Sequence, residues 1–179
     1  MQADFIEHIQ AFTARNSVTA SATRSQGAPG IAEAAREHLR LVPLQAFAVR
    51  SRAVSGGALD AQTKLLEAAL PRAGRSWGLS RKLLNIFLRN ALYTVYLRNA
   101  FHLAHAERWY EVPLDGVVAE RVAREPEGRT LPAWPGVKHL ERTESEELQE
   151  AFRKLARRLG VAPVHLDALY WGGDRNRAG

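Results

Sequence analysis

Between Leu79 and Leu97 the chain places Leu79, Leu83, Ile86, Phe87, Leu92, Tyr93, Val95, Tyr96 and Leu97 so that they cover most of a helix's circumference. A helix that is apolar nearly all round belongs in the middle of a fold, with the rest of the chain packed about it. Arg89 and Arg98 fall inside this run, which argues against a membrane span. Its polar residues form two i,i+4 rows, Arg81–Asn85–Arg89 and Asn90–Thr94–Arg98–His102, the spacing of a solvated face.

The surrounding segments are read against that central helix. Phe5, Ile6, Ile9 and Phe12 recur at helical spacing and predict an amphipathic helix over 3–14. Residues 15–30 are rich in Ser, Thr and Gly without periodicity and read as a mobile basic linker, with Arg15 and Arg24 available to a phosphate backbone. A second helix is expected from Ile31 to just before Pro43, a further helical turn over Leu44–Val49, and a break at Ser55-Gly56-Gly57. Leu59–Leu70 reads as a helix with Leu59, Leu65, Leu66, Ala69 and Leu70 inward, stopped by Pro71 and Gly74.

Beyond the central helix, Asp115 is placed to cap a helix of about Gly116–Arg124, and the prolines and glycines of 125–138 make a loop. Thr143 and Glu146 form an S/T-x-x-E pattern opening a helix over 144–159 that Gly160 ends. Pro163 starts a last short helix through Tyr170-Trp171. With no strand pair carrying hairpin chemistry and no repeat, the fold class expected is all-α. The organisation expected is an N-terminal helix and linker over 1–30, a compact helical domain over 31–172, and a disordered tail over 173–179.

Charge points to a partner. The formal net charge is +6 and the pI about 10.2, which favours a polyanion, nucleic acid before membrane. Cysteine is absent, so disulfides, thiolate catalysis and iron–sulfur clusters are excluded. With no apolar leader after Met1, a cytoplasmic protein is expected, monomeric and needing neither metal nor other cofactor.

Two residues stand out chemically. Lys82, read as lying in the first turn of the central helix, opposes the helix dipole; the dipole, Arg81 and partial burial all lower its pKa and sharpen the amine as a nucleophile. Asp115, held by N-cap hydrogen bonds, stays ionised and oriented, as stabilising a cation developing at a sugar requires. An unbroken helix from Lys82 to His105 would run about 35 Å, leaving the return to Asp115 barely long enough. A break near Asn99, within two residues, with Ala100–Trp109 returning as a second helix, lets the two meet. The turn before Lys82, with Pro71, Gly74 and Gly78, offers free backbone N–H groups for a phosphate, reinforced by Arg72, Arg75 and Arg81.

Leu70-Pro71, Gly74 and Gly78 between two helices, a lysine just after, and then Val112-Pro113-Leu114-Asp115-x-x-Val118 together resemble the helix-hairpin-helix DNA glycosylase superfamily. The long hairpin and the 33-residue separation of Lys82 from Asp115 are most like its small archaeal 8-oxoguanine glycosylase branch. The resemblance implies that Gly74, Arg75, Gly78 and Arg81 grip the backbone of double-stranded DNA carrying a damaged or modified base. Lys82 is then the nucleophile at C1′, Asp115 the assisting acid, and β-elimination can nick the strand. Trp77, Trp109 and Tyr110 are the aromatic residues placed to sandwich a flipped base; core packing is the competing role for each.

By resemblance the base is 8-oxoguanine, with a hypermodified phage base such as glucosylated hydroxymethylcytosine as the alternative. Other classes stay open at this point. They are a non-catalytic DNA-binding module using the same hairpin, a metal enzyme on His102 and His105 with Glu107 or Glu111, and an RNA-binding helical protein.

Overall fold

The computed structural model describes residues 2–23 and 28–172; Arg24 and the tail expected over 173–179 lie outside the described residues. Helices and short 3₁₀ turns account for the regular structure, and no strand occurs among the described residues. In chain order the α-helices are α1 (Gln2–Ser17), α2 (Ile31–Leu39), α3 (Arg52–Ala69), α4 (Trp77–Tyr93), α5 (Val95–Ala100), α6 (Gly116–Ala123), α7 (Arg142–Leu159) and α8 (Leu166–Gly172). The all-α expectation holds. No helix among the described residues is long and apolar enough to cross a membrane.

The centre is α4. Ser76 caps it, its hydroxyl accepting the Leu79 amide at 3.2 Å, which satisfies one of the donors that a helix start leaves open. Every residue from Gly78 to Asn85 is buried, and α1, α2, α3, α5 and α7 all touch this helix. Phe47, Leu66, Leu83 and Phe87 belong to one apolar cluster, and Val112, Leu114, Val118, Phe152 and Leu155 to a second under α6 and α7. Each such side chain contributes about 1.5–3 kcal/mol on leaving water.

Several sequence expectations need correction. Helix α1 continues to Ser17, and Ala14, Val18 and Ala22 lie in the first cluster, so the N-terminal segment is part of the core rather than an arm. Ser55-Gly56-Gly57 does not break the chain: α3 begins at Arg52 and runs through it. Two glycines cost about 1 kcal/mol each in a helix, which the burial of Ser55, Leu59, Thr63 and Leu66 on one face offsets. That register leaves Leu65 and Ala69 exposed rather than inward.

The central run breaks twice. Its first break is at Thr94, whose ψ of 110° turns the chain and carries Tyr93, Val95 and Tyr96 out to half-exposed positions. The second follows α5, at Phe101 and His102, where His102 adopts a left-handed φ of 52°. It matches the break expected near Asn99, but the return leg is a 3₁₀ run over Leu103–Trp109 rather than an α-helix. Helix α7 starts at Arg142 with Glu141 ahead of it and no side-chain cap; Glu146 is held by Arg142 at 2.8 Å, so the Thr143–Glu146 box is unused. Gly160 ends α7 in the left-handed region, as expected.

The turn between α3 and α4 is built on close approach. A Cβ on Gly74 would sit 2.0 Å from Ile31 Cδ1, and one on Gly78 would sit 2.2 Å from the Val137 carbonyl oxygen and 2.8 Å from Leu140 Cβ. Gly78→Ala is therefore expected to lower stability by about 1–3 kcal/mol through overpacking, read as a shifted urea midpoint. An unchanged midpoint would mean that the Val137–His139 turn gives way freely.

Candidate active site

Lys82 is the sixth residue of α4, so it lies in the second turn rather than the first, beyond the reach of most of the dipole's effect. Burial pulls its pKa below the ordinary lysine value, and the neighbouring Asp115 carboxylate pulls the other way. Neither the dipole nor Arg81 is the cause, because Arg81 is spent on other carboxylates.

Asp115 arrives from the far side. Val112 and Leu114 are buried, and Gln149 of α7 clamps the segment, donating to the Val112 carbonyl at 2.8 Å and accepting the Val112 amide at 3.0 Å. Held there, Asp115 accepts the Val118 amide on Oδ1 at 3.0 Å and points Oδ2 to 3.8 Å from Lys82 Nζ. The two side chains are 9% and 17% exposed, so the pair is shielded without being sealed. The spacing leaves the amine near its carboxylate yet outside hydrogen-bond range.

Both open onto a cleft of about 410 Å³. Lys82, Ile86, Arg89, Asn90 and Tyr93 form its α4 wall, a stripe at i, i+4, i+7, i+8 and i+11. Opposite stand Ser17 and the residues after it, and Asp167 of α8 closes one side. Asp167, almost fully buried, pairs with Arg89. Arg89 also donates to Asn90 Oδ1 at 3.1 Å, Asn90 donates to Ser17 Oγ at 2.9 Å, and Ser17 donates to the Thr13 carbonyl at 2.7 Å. The wall is thus a satisfied polar network, which is rigid because every member has a partner. An amine of weakened proton affinity beside an oriented carboxylate can attack an electrophilic carbon while the carboxylate stabilises positive charge there.

The other residues singled out from sequence do not join this cleft. Trp77 packs on the second apolar cluster, with the Arg81 guanidinium 5.3 Å from its ring centroid. Tyr110 is a core residue whose hydroxyl donates to the Phe47 carbonyl at 3.2 Å, and Trp109 lines a separate depression with Arg52 and Glu111. None of the three lines the cleft, and among the described residues Tyr93 is the aromatic residue that does.

Among the backbone-gripping candidates, Gly74 and Gly78 are buried by their packing role. Arg81, with a side chain 7% exposed, donates to Glu111 at 2.8 and 2.9 Å, to Asp60 at 2.9 Å and to Thr63 at 3.1 Å, so four of its five N–H donors are committed inside the protein. Asn85 also donates to Glu111 at 3.2 Å, so the first polar row of α4 is a buried network rather than a solvated face. Arg75 is exposed but closes the end of α3, donating to the Ala68 and Leu70 carbonyls.

His102 and His105 stack on each other at 5.6 Å, while Glu107 contacts His165 and Glu111 contacts Arg81; the carboxylates a metal reading needed are engaged elsewhere.

Sequence reasoning missed Arg89, Asn90, Tyr93, Ser17 and Asp167. The first three were legible as a stripe in phase with Lys82. Ser17 and Asp167 reach the cleft only through tertiary packing, for which a single sequence carries no signal.

Compared with known proteins, the chain matches no family model, no curated protein and no solved structure.

Proposed function

We propose that the chain is a DNA N-glycosylase with an AP-lyase step, in which Lys82 attacks the sugar and Asp115 supports the loss of the base. The observation that carries the reading is the Lys82–Asp115 pair, 3.8 Å apart in the lining of one cleft, with the carboxylate doubling as a helix N-cap. In this reading α3, the turn over 70–76 and α4 are the helix-hairpin-helix, and exposed Arg72 is its phosphate-facing cation. The excess of basic residues suits the polyanion.

The chemistry follows from the two groups. The neutral amine forms a bond to C1′ as the C1′–N bond to the base breaks and its electron pair leaves with the base. Asp115 stabilises the positive charge that develops on the sugar. The adduct becomes a Schiff base when the sugar ring opens, and β-elimination cuts the strand.

By resemblance the default base is 8-oxoguanine. A specific observation favours the second reading, a hypermodified base: the cleft's 410 Å³ falls within the range of about 300–1,000 Å³ typical of pockets for whole small ligands, so a lone base leaves room. Its lining of Asn16, Thr19 and Ser21 offers hydroxyls and an amide to a polar substituent.

The test is incubation with borohydride of duplexes carrying 8-oxoguanine and, separately, phage DNA carrying glucosylated hydroxymethylcytosine. A covalent adduct on either supports the reading and selects the base. Binding with neither adduct nor base release would leave a non-catalytic DNA-binding module.

The pH dependence has a definite sign. Only the neutral amine attacks, so nicking of an abasic duplex under single turnover is expected to rise with pH. Because burial lowers the Lys82 pKa, the rise levels off below the pH at which an exposed lysine titrates. A plateau in the ordinary lysine range would contradict the assignment.

A further inference from the structure

The end of the cleft away from Lys82 holds a hydrogen-bonded chain that the attack on the sugar does not use. Tyr93, the last residue of α4, has its hydroxyl 2.8 Å from His165 Nδ1, with the two rings stacked at 5.6 Å and 14°. The other ring nitrogen, Nε2, meets the Glu107 carboxylate. The three residues come from α4, the turn over Pro163–His165 and the 3₁₀ run over Leu103–Trp109, so the fold assembles the chain from separate segments.

With a neutral imidazole the donors and acceptors have one order. A carboxylate only accepts, so His165 Nε2 carries the hydrogen and, in the neutral ring, Nδ1 is left with a lone pair. The phenol proton of Tyr93 is then committed to Nδ1. Burial raises the Tyr93 pKa, with Arg89 opposing and Glu107 adding to the rise, so the proton stays on the phenol. What the phenol oxygen has left to offer the cleft is a lone pair.

We infer that Tyr93 is the specificity-determining residue of the cleft, presenting a fixed hydrogen-bond acceptor to the outer end of a substituent carried by the bound base, with His165 and Glu107 as positioning residues. This rests on the glycosylase reading. Lys82 and Tyr93 lie eleven residues apart on one face of α4, about 16 Å along its axis. The sugar carbon must sit at Lys82, so the base and any substituent extend along the stripe towards Tyr93. Arg89, between them, is already bound to Asp167 and Asn90. An acceptor at the far end selects a base substituent with an N–H or O–H donor there, and it disfavours one presenting a lone pair.

The test pairs two substrates with four proteins. One substrate is the DNA carrying glucosylated hydroxymethylcytosine; the other is a duplex with a ready-made abasic site, which has no base to read. Tyr93→Phe is expected to raise KM for the base-bearing DNA roughly 2- to 10-fold, the loss of one neutral hydrogen bond, with kcat and abasic-site trapping unchanged. His165→Leu, which frees the phenol proton, does the same, whereas His165→Asn keeps an acceptor near the Nδ1 position and restores KM.

The ¹⁵N spectrum of the unmodified protein reads the order directly: Nε2 protonated and Nδ1 bare. Unchanged KM in Tyr93→Phe, equal losses on both substrates, or a protonated Nδ1 overturns the role of Tyr93 alone. Neither adduct nor free base from the unmodified protein on any of these DNAs, 8-oxoguanine included, overturns the glycosylase reading, and this inference falls with it; turnover of 8-oxoguanine alone overturns the role of Tyr93.

Discussion

Asp115→Asn is expected to slow base excision by about 10²–10³-fold, the usual cost of removing one group prearranged to stabilise transition-state charge. The substitution isolates charge from structure. Asparagine caps helices about as well as aspartate, so the bond from the Val118 amide, 3.0 Å in the native protein, is kept and α6 stays in place. Lost are the carboxylate's negative charge and its pull on Lys82 at 3.8 Å. Single-turnover excision alongside a thermal melt measures both sides. A loss of less than tenfold, or a fall in melting temperature large enough to account for the lost activity, would remove Asp115 from the chemistry and leave it as a cap.

The largest expected effect on stability belongs to Arg81. Arg81→Met is expected to cost about 3–5 kcal/mol, because it strips the cation from a buried cluster and leaves its carboxylates behind. Glu111 would lose both of its bonds to the guanidinium, at 2.8 and 2.9 Å, and keep only Asn85 at 3.2 Å, whereas Asp60 would still have Arg142 at 2.8 Å. The cluster ties α4 to α3 and to the segment leading to Asp115, so its loss also loosens the cleft. Urea unfolding measures the cost. A variant of native stability whose DNA binding weakens and loses about one unit of salt slope would instead return Arg81 to the phosphate-contacting role that its place in the sequence suggested.

That reassignment shows where sequence reading stops. The burial of α4 was legible because an apolar stripe without a polar face has one physical solution, and Asp115 as a cap was legible because capping is local chemistry. Gly160 and the second break, near Asn99, were legible for the same reason. The break at Thr94 was not: Thr94 stands at the N-cap of α5, but an apolar run on both sides of it hides the cap. Glycines were misread in both directions. Gly56 and Gly57 sit in a helix held by its neighbours, and Gly74 and Gly78 serve close packing rather than exposed amides. Arg81 looked like a phosphate ligand because its partners, Asp60 and Glu111, are 21 and 30 residues away in the chain. Trp77, Trp109 and Tyr110 were chosen for nearness in sequence to the turn and to Asp115, whereas the cleft is walled by the helical stripe that ends in Tyr93.

The most direct test of the account is to locate the covalent adduct. The protein is trapped with borohydride on an abasic duplex, digested, and the modified peptide sequenced by mass spectrometry. A single modified lysine, Lys82, is expected, with no adduct in Lys82→Ala. Modification at Lys64, Lys138 or Lys154, or undiminished trapping by Lys82→Ala, would contradict it.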